Sequence, residues 1–258
     1  MAVAAFDIGE TLIDETRIWS RWADRLSVTR LTFLGVLGAM AAAGRPHRDA
    51  FEFFRPGLDI EAEMAAWAAE DPTGLRENFD GDDLYADVPG CFAGLRDAGI
   101  AVVIAGNQPP QARAALEALD LGVEHIVISA DIGWAKPQPE FFAAVADVAG
   151  VEPDRIAYVG DRVDNDVLPA RRSGMAAVLV RRGPWGYLQA EWPEAAQADH
   201  IVASLDALPA LLAAGRDVAD GDVGFRPRAR HPESASAAPP PKPPPPTPQN
   251  AREAGRLP

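Results

Sequence analysis

The chain has 258 residues, of which 48% are hydrophobic, with a formal net charge of −14 and a pI near 4.7. That length suits one sizeable α/β core with a smaller inserted domain, and the acidic balance argues against nucleic acid or an anionic membrane as a partner. A single cysteine, Cys91, excludes an intramolecular disulfide and suits a reducing cytoplasm, and the opening MAVAAF lacks the basic region of a secretory signal.

The first predicted element is the run AVAAFDI, a strand that delivers Asp7 into the glycine-containing turn of FDIGETLID. From Leu12 to about Pro89 no strand-like run follows. There are only helical patterns such as TRIWSRWADRLSV, HRDAFEFF and DIEAEMAAWAAE. An interval of that length exceeds an ordinary connection and predicts a helical cap over 15–87, placed above the end of the first strand. Its longest apolar stretch, Leu31 to Gly44, is too short for a membrane span of about 20 residues and reads as a buried helix. Trp19, Trp22, Phe51, Phe53, Phe54 and Trp67 read as cap core, and Arg17, Arg21 and Arg25, four apart, as a solvated face paired with acids.

Beyond the cap, VPGCFAGLRDAG predicts a helix with Cys91 on its buried face, and IAVVIAG a strand ending at Gly106 and Asn107. Helix PPQARAALEALDLG and strand EHIVISA follow, then WAKPQPEFF, which sets Lys136 before a proline and starts a helix near Pro139. Strand RIAYVGD ends at Asp161, helix NDVLPARRSGM carries Asp166, and AAVLVRR is the fifth strand, followed by RRGPWGY with Trp185 packed near the crevice. The four histidines show no ligand spacing and read as structural or surface residues. From about Asp217 the composition turns to proline, alanine and serine. That predicts a disordered, solvated Pro-rich tail over 217–258, with a proline-binding partner as the alternative reading.

Short, nearly continuous apolar strands alternating with helices predict an α/β fold, a Rossmann-like doubly wound parallel sheet built from 1–14 and 88–216. Its crevice lies at the carboxyl ends of the strands, where Asp7, Gly106, Lys136 and Asp161 converge. Two carboxylates meeting there repel unless a cation joins them, and an all-oxygen site beside a phosphorylated small molecule points to Mg²⁺. Lys136 supplies a fixed positive charge, and Asp7 is placed to attack phosphorus and form an aspartyl phosphate.

FDIGETL, VVIAGNQ, WAKPQPEFF and YVGDRVDND, in that order, resemble the four motifs of the haloacid dehalogenase-like hydrolase superfamily over roughly Val3 to Leu212. The resemblance implies a Mg²⁺-dependent phosphatase with a helical cap. In it Asp7 is the nucleophile, Thr11 closes the first turn, and Gly106 and Asn107 are at the phosphate. Lys136 is the third-motif lysine, and Asp161, Asp166 and the Gly9 backbone carbonyl are at the metal. Two positions depart from the pattern. Gly9 stands where such phosphatases carry a second aspartate that protonates the leaving oxygen, and Gly106 where they carry Ser or Thr. Loss of a general acid/base removes about 10²–10⁴ in rate. Glu10 is a possible replacement acid/base, or else it faces solvent or caps the following helix. The alternatives are a catalytically weak protein that binds a phosphorylated ligand, and a metal-independent dehalogenase-type hydrolase. The second is disfavoured by the acids of GDRVDND, and phosphonate cleavage by a cap lysine is disfavoured because no lysine precedes Lys136.

Overall fold

The computed structural model describes residues 1–72 and 79–217. Six parallel strands form one sheet: β1 (Val3–Phe6), β2 (Ala101–Gly106), β3 (His125–Ile128), β4 (Ile156–Gly160), β5 (Ala176–Val180) and β6 (His200–Val202). Their order is β3-β2-β1-β4-β5-β6, with Val3 of β1 in register with Ala101 of β2 and Ile156 of β4. The order reverses beside β1, so the carboxyl ends of β1 and β4 border the crevice where ligands bind in open parallel sheets.

Alternation along each strand feeds two apolar layers. Ala4, Phe6, Val102 and Ile104 pack on one face with Phe92 and Leu95 of helix Val88–Asp97. Val3, Ala5, Val103 and Ala105 pack on the other with Phe141, Phe142 and Val145 of helix Pro139–Ala149. Cys91 is buried in the first layer, on the helix face expected of it.

Between β1 and β2 the described residues form helices and turns, chiefly Thr16–Arg25, Arg30–Ala42 and Ile60–Glu70. Trp19, Trp22, Phe33, Leu37, Phe51 and Trp67 make a third cluster there, which also takes in Trp185 from helix Gly183–Gln189. The aromatic residues expected in the cap core are there, except that Phe53 is 60% exposed. Arg17 pairs with Asp80 and Asp83, and Arg25 with Glu63 and Glu70, as a charged face paired with acids requires.

Two expectations need correction. The apolar stretch expected as a buried helix is a helix, Arg30–Ala42, but it buries only one face, through Phe33, Leu37, Met40 and Ala41, and leaves Leu31 84% exposed. The sheet gains a sixth strand, β6, after the fifth expected from the sequence. The last helix, Leu208–Asp217, ends where the tail was expected to begin. The tail expectation otherwise lies outside the described residues. No single helix among the described residues is long and apolar enough to cross a membrane.

Candidate active site

Asp7 directly follows β1, and its N–H still donates to the Val159 carbonyl (2.8 Å), so the nucleophile candidate is held by the sheet ladder. The turn after it closes on the Ile8 carbonyl, which accepts from Leu12 (2.8 Å) and Ile13 (3.0 Å). The Gly9 carbonyl accepts none of the main-chain hydrogen bonds that close this turn.

Lys136 approaches from the loop after β3, across the Lys136–Pro137 cis peptide. The Asn107 side chain clamps its backbone twice: Lys136 N–H donates to Oδ1 (2.7 Å) and Nδ2 donates to the Lys136 carbonyl (2.9 Å). The ammonium lies 2.6 Å from Asp7 and 2.7 Å from Asp166, in a buried position. Burial opposes its charge, but the Asp166 and Asp7 carboxylates more than offset this and keep its pKa well above the ordinary lysine value.

Asp166 comes from one wide π-type turn, Val163–Val167, an irregularity that often marks functional positions. Its Oδ2 also accepts from Arg162 N–H (3.0 Å). The close approach requires Gly160, because a Cβ there would meet Asp166 Cβ at 2.6 Å. Burial raises the Asp166 pKa to about 6, although Lys136 pulls it the other way. Asp161 is 3% exposed and makes no hydrogen bond or ion pair among the described residues. Burial, then the charges of Asp166 and Asp7, push its pKa well above the carboxylate range. Oxygen atoms of Asp7, Asp161 and Asp166 lie within 4.8 Å of one another. Two buried acids sharing one ammonium, with a third beside them that has no partner among the described residues, fit a hard divalent cation with oxygen ligands.

A cavity of about 410 Å³ opens over these groups. Of the residues singled out from the sequence, Asp7, Gly9, Glu10, Asn107, Lys136 and Asp161 line it, and Asp166 touches Lys136 beneath it. Gly106 lies close under Asp7, where a Cβ would come within 2.8 Å of Asp7 Oδ1, so a serine or threonine would crowd the nucleophile on this backbone. Thr11 is fully buried and is not in the cavity wall. Its Oγ1 has no hydrogen-bond partner among the described residues, and its carbonyl accepts from Arg182 (2.8 Å). Glu10 adopts a left-handed backbone (φ 51°) and is buried. Tyr85 O–H donates to its Oε2 (2.5 Å) and Glu15 N–H to its Oε1 (3.1 Å), so it is tied to the residue just before helix Thr16–Arg25. Burial and then the Glu15 charge raise its pKa to about 7.

The wall also contains Glu15, Trp19, His47 and Arg48 from the helical segment, and Arg162, Asp164 and Trp185 from the sheet side. Sequence reasoning missed Glu15, Arg48, Arg162 and Asp164 and treated Trp19, His47 and Trp185 as structural. Trp19 and Trp185 are both buried core and cavity wall. A signal for Glu15 was present in its four-residue spacing to Trp19, since its Oε2 accepts from the indole Nε1 (2.9 Å).

Parallel strands, a carboxylate at the end of β1 and an acid–lysine–acid cluster define a carboxylate-centred α/β hydrolase. The chain belongs to the haloacid dehalogenase-like hydrolases, whose family model matches residues 1–174. It is 31% identical over 188 residues to phosphoserine phosphatase of Thermus thermophilus, covering 67% of this chain and 71% of the relative. It is 37% identical over 107 residues to glyceraldehyde 3-phosphate phosphatase of Methanopyrus kandleri, covering 39% of this chain and 45% of the relative, less than half that protein's length. In fold it is similar to L-2-haloacid dehalogenase from Xanthobacter autotrophicus, with a TM-score of 0.55, 20% identity and coverage of 86% and 100% of the two chains.

Proposed function

We propose that the chain is a Mg²⁺-dependent phosphatase that hydrolyses a small phosphorylated molecule through an aspartyl phosphate on Asp7. One observation carries this reading: the Lys136 ammonium is shared between Asp7 and Asp166 while Asp161 turns into the same space without a partner. Lys136 holds the Asp7 carboxylate in place for attack through their ion pair and presents a fixed charge to the phosphoryl oxygens. Asn107 positions Lys136 through its backbone. Asp7, Asp161, the Gly9 carbonyl and Asp166 would hold Mg²⁺, which when bound neutralises charge on the phosphoryl group.

In this reading 15–87 is the cap and 1–14 with 88–216 the core, the cap closing over the crevice to exclude water. The phosphatases among its relatives support a small phosphorylated substrate. The lone reduced Cys91 and the acidic charge suit a cytoplasmic enzyme without nucleic-acid or membrane partners. Metal-independent dehalogenation is disfavoured, because Asp7, Asp161 and Asp166 are three neighbouring buried carboxylates and the one lysine pairs with only two of them.

The test is release of p-nitrophenol and phosphate from p-nitrophenyl phosphate with Mg²⁺ or with chelator. Release that needs Mg²⁺ and is lost in Asp7→Asn is expected. Release that survives chelator, or persists in Asp7→Asn, would overturn the reading.

A further inference from the structure

Resting on the phosphatase reading, we infer that Glu15 is the proton-transfer residue of this site and stands in for the side chain lacking at Gly9. Gly9 is two residues beyond Asp7 and lines the cavity, as does Glu15. A Cβ built on Gly9 would meet Glu15 Oε1 at 2.5 Å, Cδ at 2.7 Å and Oε2 at 3.2 Å. The Glu15 carboxylate therefore fills the volume that a side chain at position 9 would enter. It arrives from the opposite direction, at the start of helix Thr16–Arg25.

Its orientation is fixed by the cap. Trp19, one helical turn on, donates from Nε1 to Oε2 (2.9 Å), and Oε1 is the oxygen nearer to Gly9. The Trp19 ring is itself buried, with the Phe33 ring centroid at 6.1 Å and His47 at 5.3 Å. The neighbouring acids are otherwise engaged. Both Glu10 oxygens accept hydrogen bonds, one of them from the Glu15 backbone, and Asp14 Oδ1 accepts from Thr16 N–H (2.8 Å).

In the first step an Asp7 oxygen bonds to phosphorus and the phosphorus–oxygen ester bond breaks. The electron pair stays on the leaving oxygen, which takes the proton from the Glu15 carboxyl and departs as an alcohol. In the second step the Glu15 carboxylate takes a proton from water as its oxygen bonds to phosphorus. The bond to Asp7 breaks with its electron pair returning to that carboxylate, inorganic phosphate leaves, and Glu15 is protonated again.

The experiment compares p-nitrophenyl phosphate, whose leaving group needs no proton, with the alkyl ester glycerol 1-phosphate, using the full chain with Mg²⁺. Glu15→Gln keeps the size and can still accept from Trp19. It is expected to lose about 10²–10⁴ in turnover of the alkyl ester. On the aryl ester it should give a burst of one p-nitrophenol per active site followed by slow turnover, because Asp7 is still phosphorylated but water is not activated. Gly9→Asp alone should be impaired by collision with Glu15, whereas Gly9→Asp combined with Glu15→Ala should recover alkyl turnover relative to Glu15→Ala. Trp19→Phe, a second variant, should lower alkyl turnover less while the burst persists.

Alkyl turnover in Glu15→Gln equal to that of the unaltered protein overturns the assignment and leaves the phosphatase reading standing. No Mg²⁺-dependent p-nitrophenol release from the unaltered protein, or equal release from Asp7→Asn, overturns that reading and the assignment with it.

Discussion

Asp161 sets stability against chemistry at a single residue. It is buried beside two other acids, and no hydrogen bond or ion pair among the described residues offsets the desolvation of its charge. Asp161→Asn should therefore melt higher than the natural protein in chelator, by about 2–4 °C for each kcal/mol relieved. Mg²⁺ should raise the melting temperature of the natural protein, by about 2.7 kcal/mol of stabilisation at 100 times its dissociation constant, and should do little for Asp161→Asn. Thermal melts with and without MgCl₂ check both, and a lower melting temperature for Asp161→Asn in chelator would count against the repulsion. Gly160 is the steric counterpart. Gly160→Ala should cost about 1–3 kcal/mol through overpacking and weaken the Mg²⁺-induced shift, because the new methyl displaces Asp166 from Lys136. At this scale the residues at strand ends were legible, since a strand end fixes where Asp7 and Asp161 point. Thr11 was not, because the turn rotates its hydroxyl into the core. Glu15 was legible only as a partner of Trp19 by spacing, because the helix start that brings it back over Gly9 is a tertiary fact.

At the scale of elements, helix Val88–Asp97 is the simplest to test. Its inward face is Val88, Cys91, Phe92 and Leu95, and burial, then Asp87 and Asp206, push the Cys91 thiol up to about 12. The thiolate is the reactive form, so Cys91 in the folded protein should be almost inert to a thiol reagent at pH 8 and react fully in denaturant. Fast labelling of the native chain would mean that this helix opens readily. Five strands were readable because four are continuous apolar runs buried on both faces and the edge strand β3 keeps the run Ile126–Ile128, although His125 is exposed. β6 was not, since His200 and Ile201 are exposed and only Val202 is buried, leaving three residues with neither a run nor an alternation. Helix Arg30–Ala42 was readable as a helix but not in its exposure: its sequence is apolar on both faces, and only contact with Trp19, Phe51 and Trp185 decides which face is covered.

Across the whole molecule the three apolar clusters are unequal. The two layers on the sheet enclose strands paired on both sides, whereas the third is built from short helices around Trp22 and Phe33 and reaches the sheet side through Trp185. Local openings follow such differences in packing. Amides of Thr16–Arg25 and Arg30–Ala42 should thus exchange through lower-energy openings than those of β1, β2 and β4. Trp185 is the lever on this difference. It is buried in the cluster with Trp19, Phe33 and Leu37, its Nε1 has no hydrogen-bond partner among the described residues, and the Arg162 guanidinium lies 5.2 Å from its ring centroid, so it contributes through ring packing and this cation–π contact. Trp185→Ala should cost about 3–5 kcal/mol of that packing, and the loss should fall on the junction between helix Gly183–Gln189 and helix Arg30–Ala42. Hydrogen exchange followed by mass spectrometry should then show faster exchange in Arg30–Ala42 with β1 and β4 still protected. Uniform acceleration across the sheet would instead mean that the helices between β1 and β2 open together with the sheet.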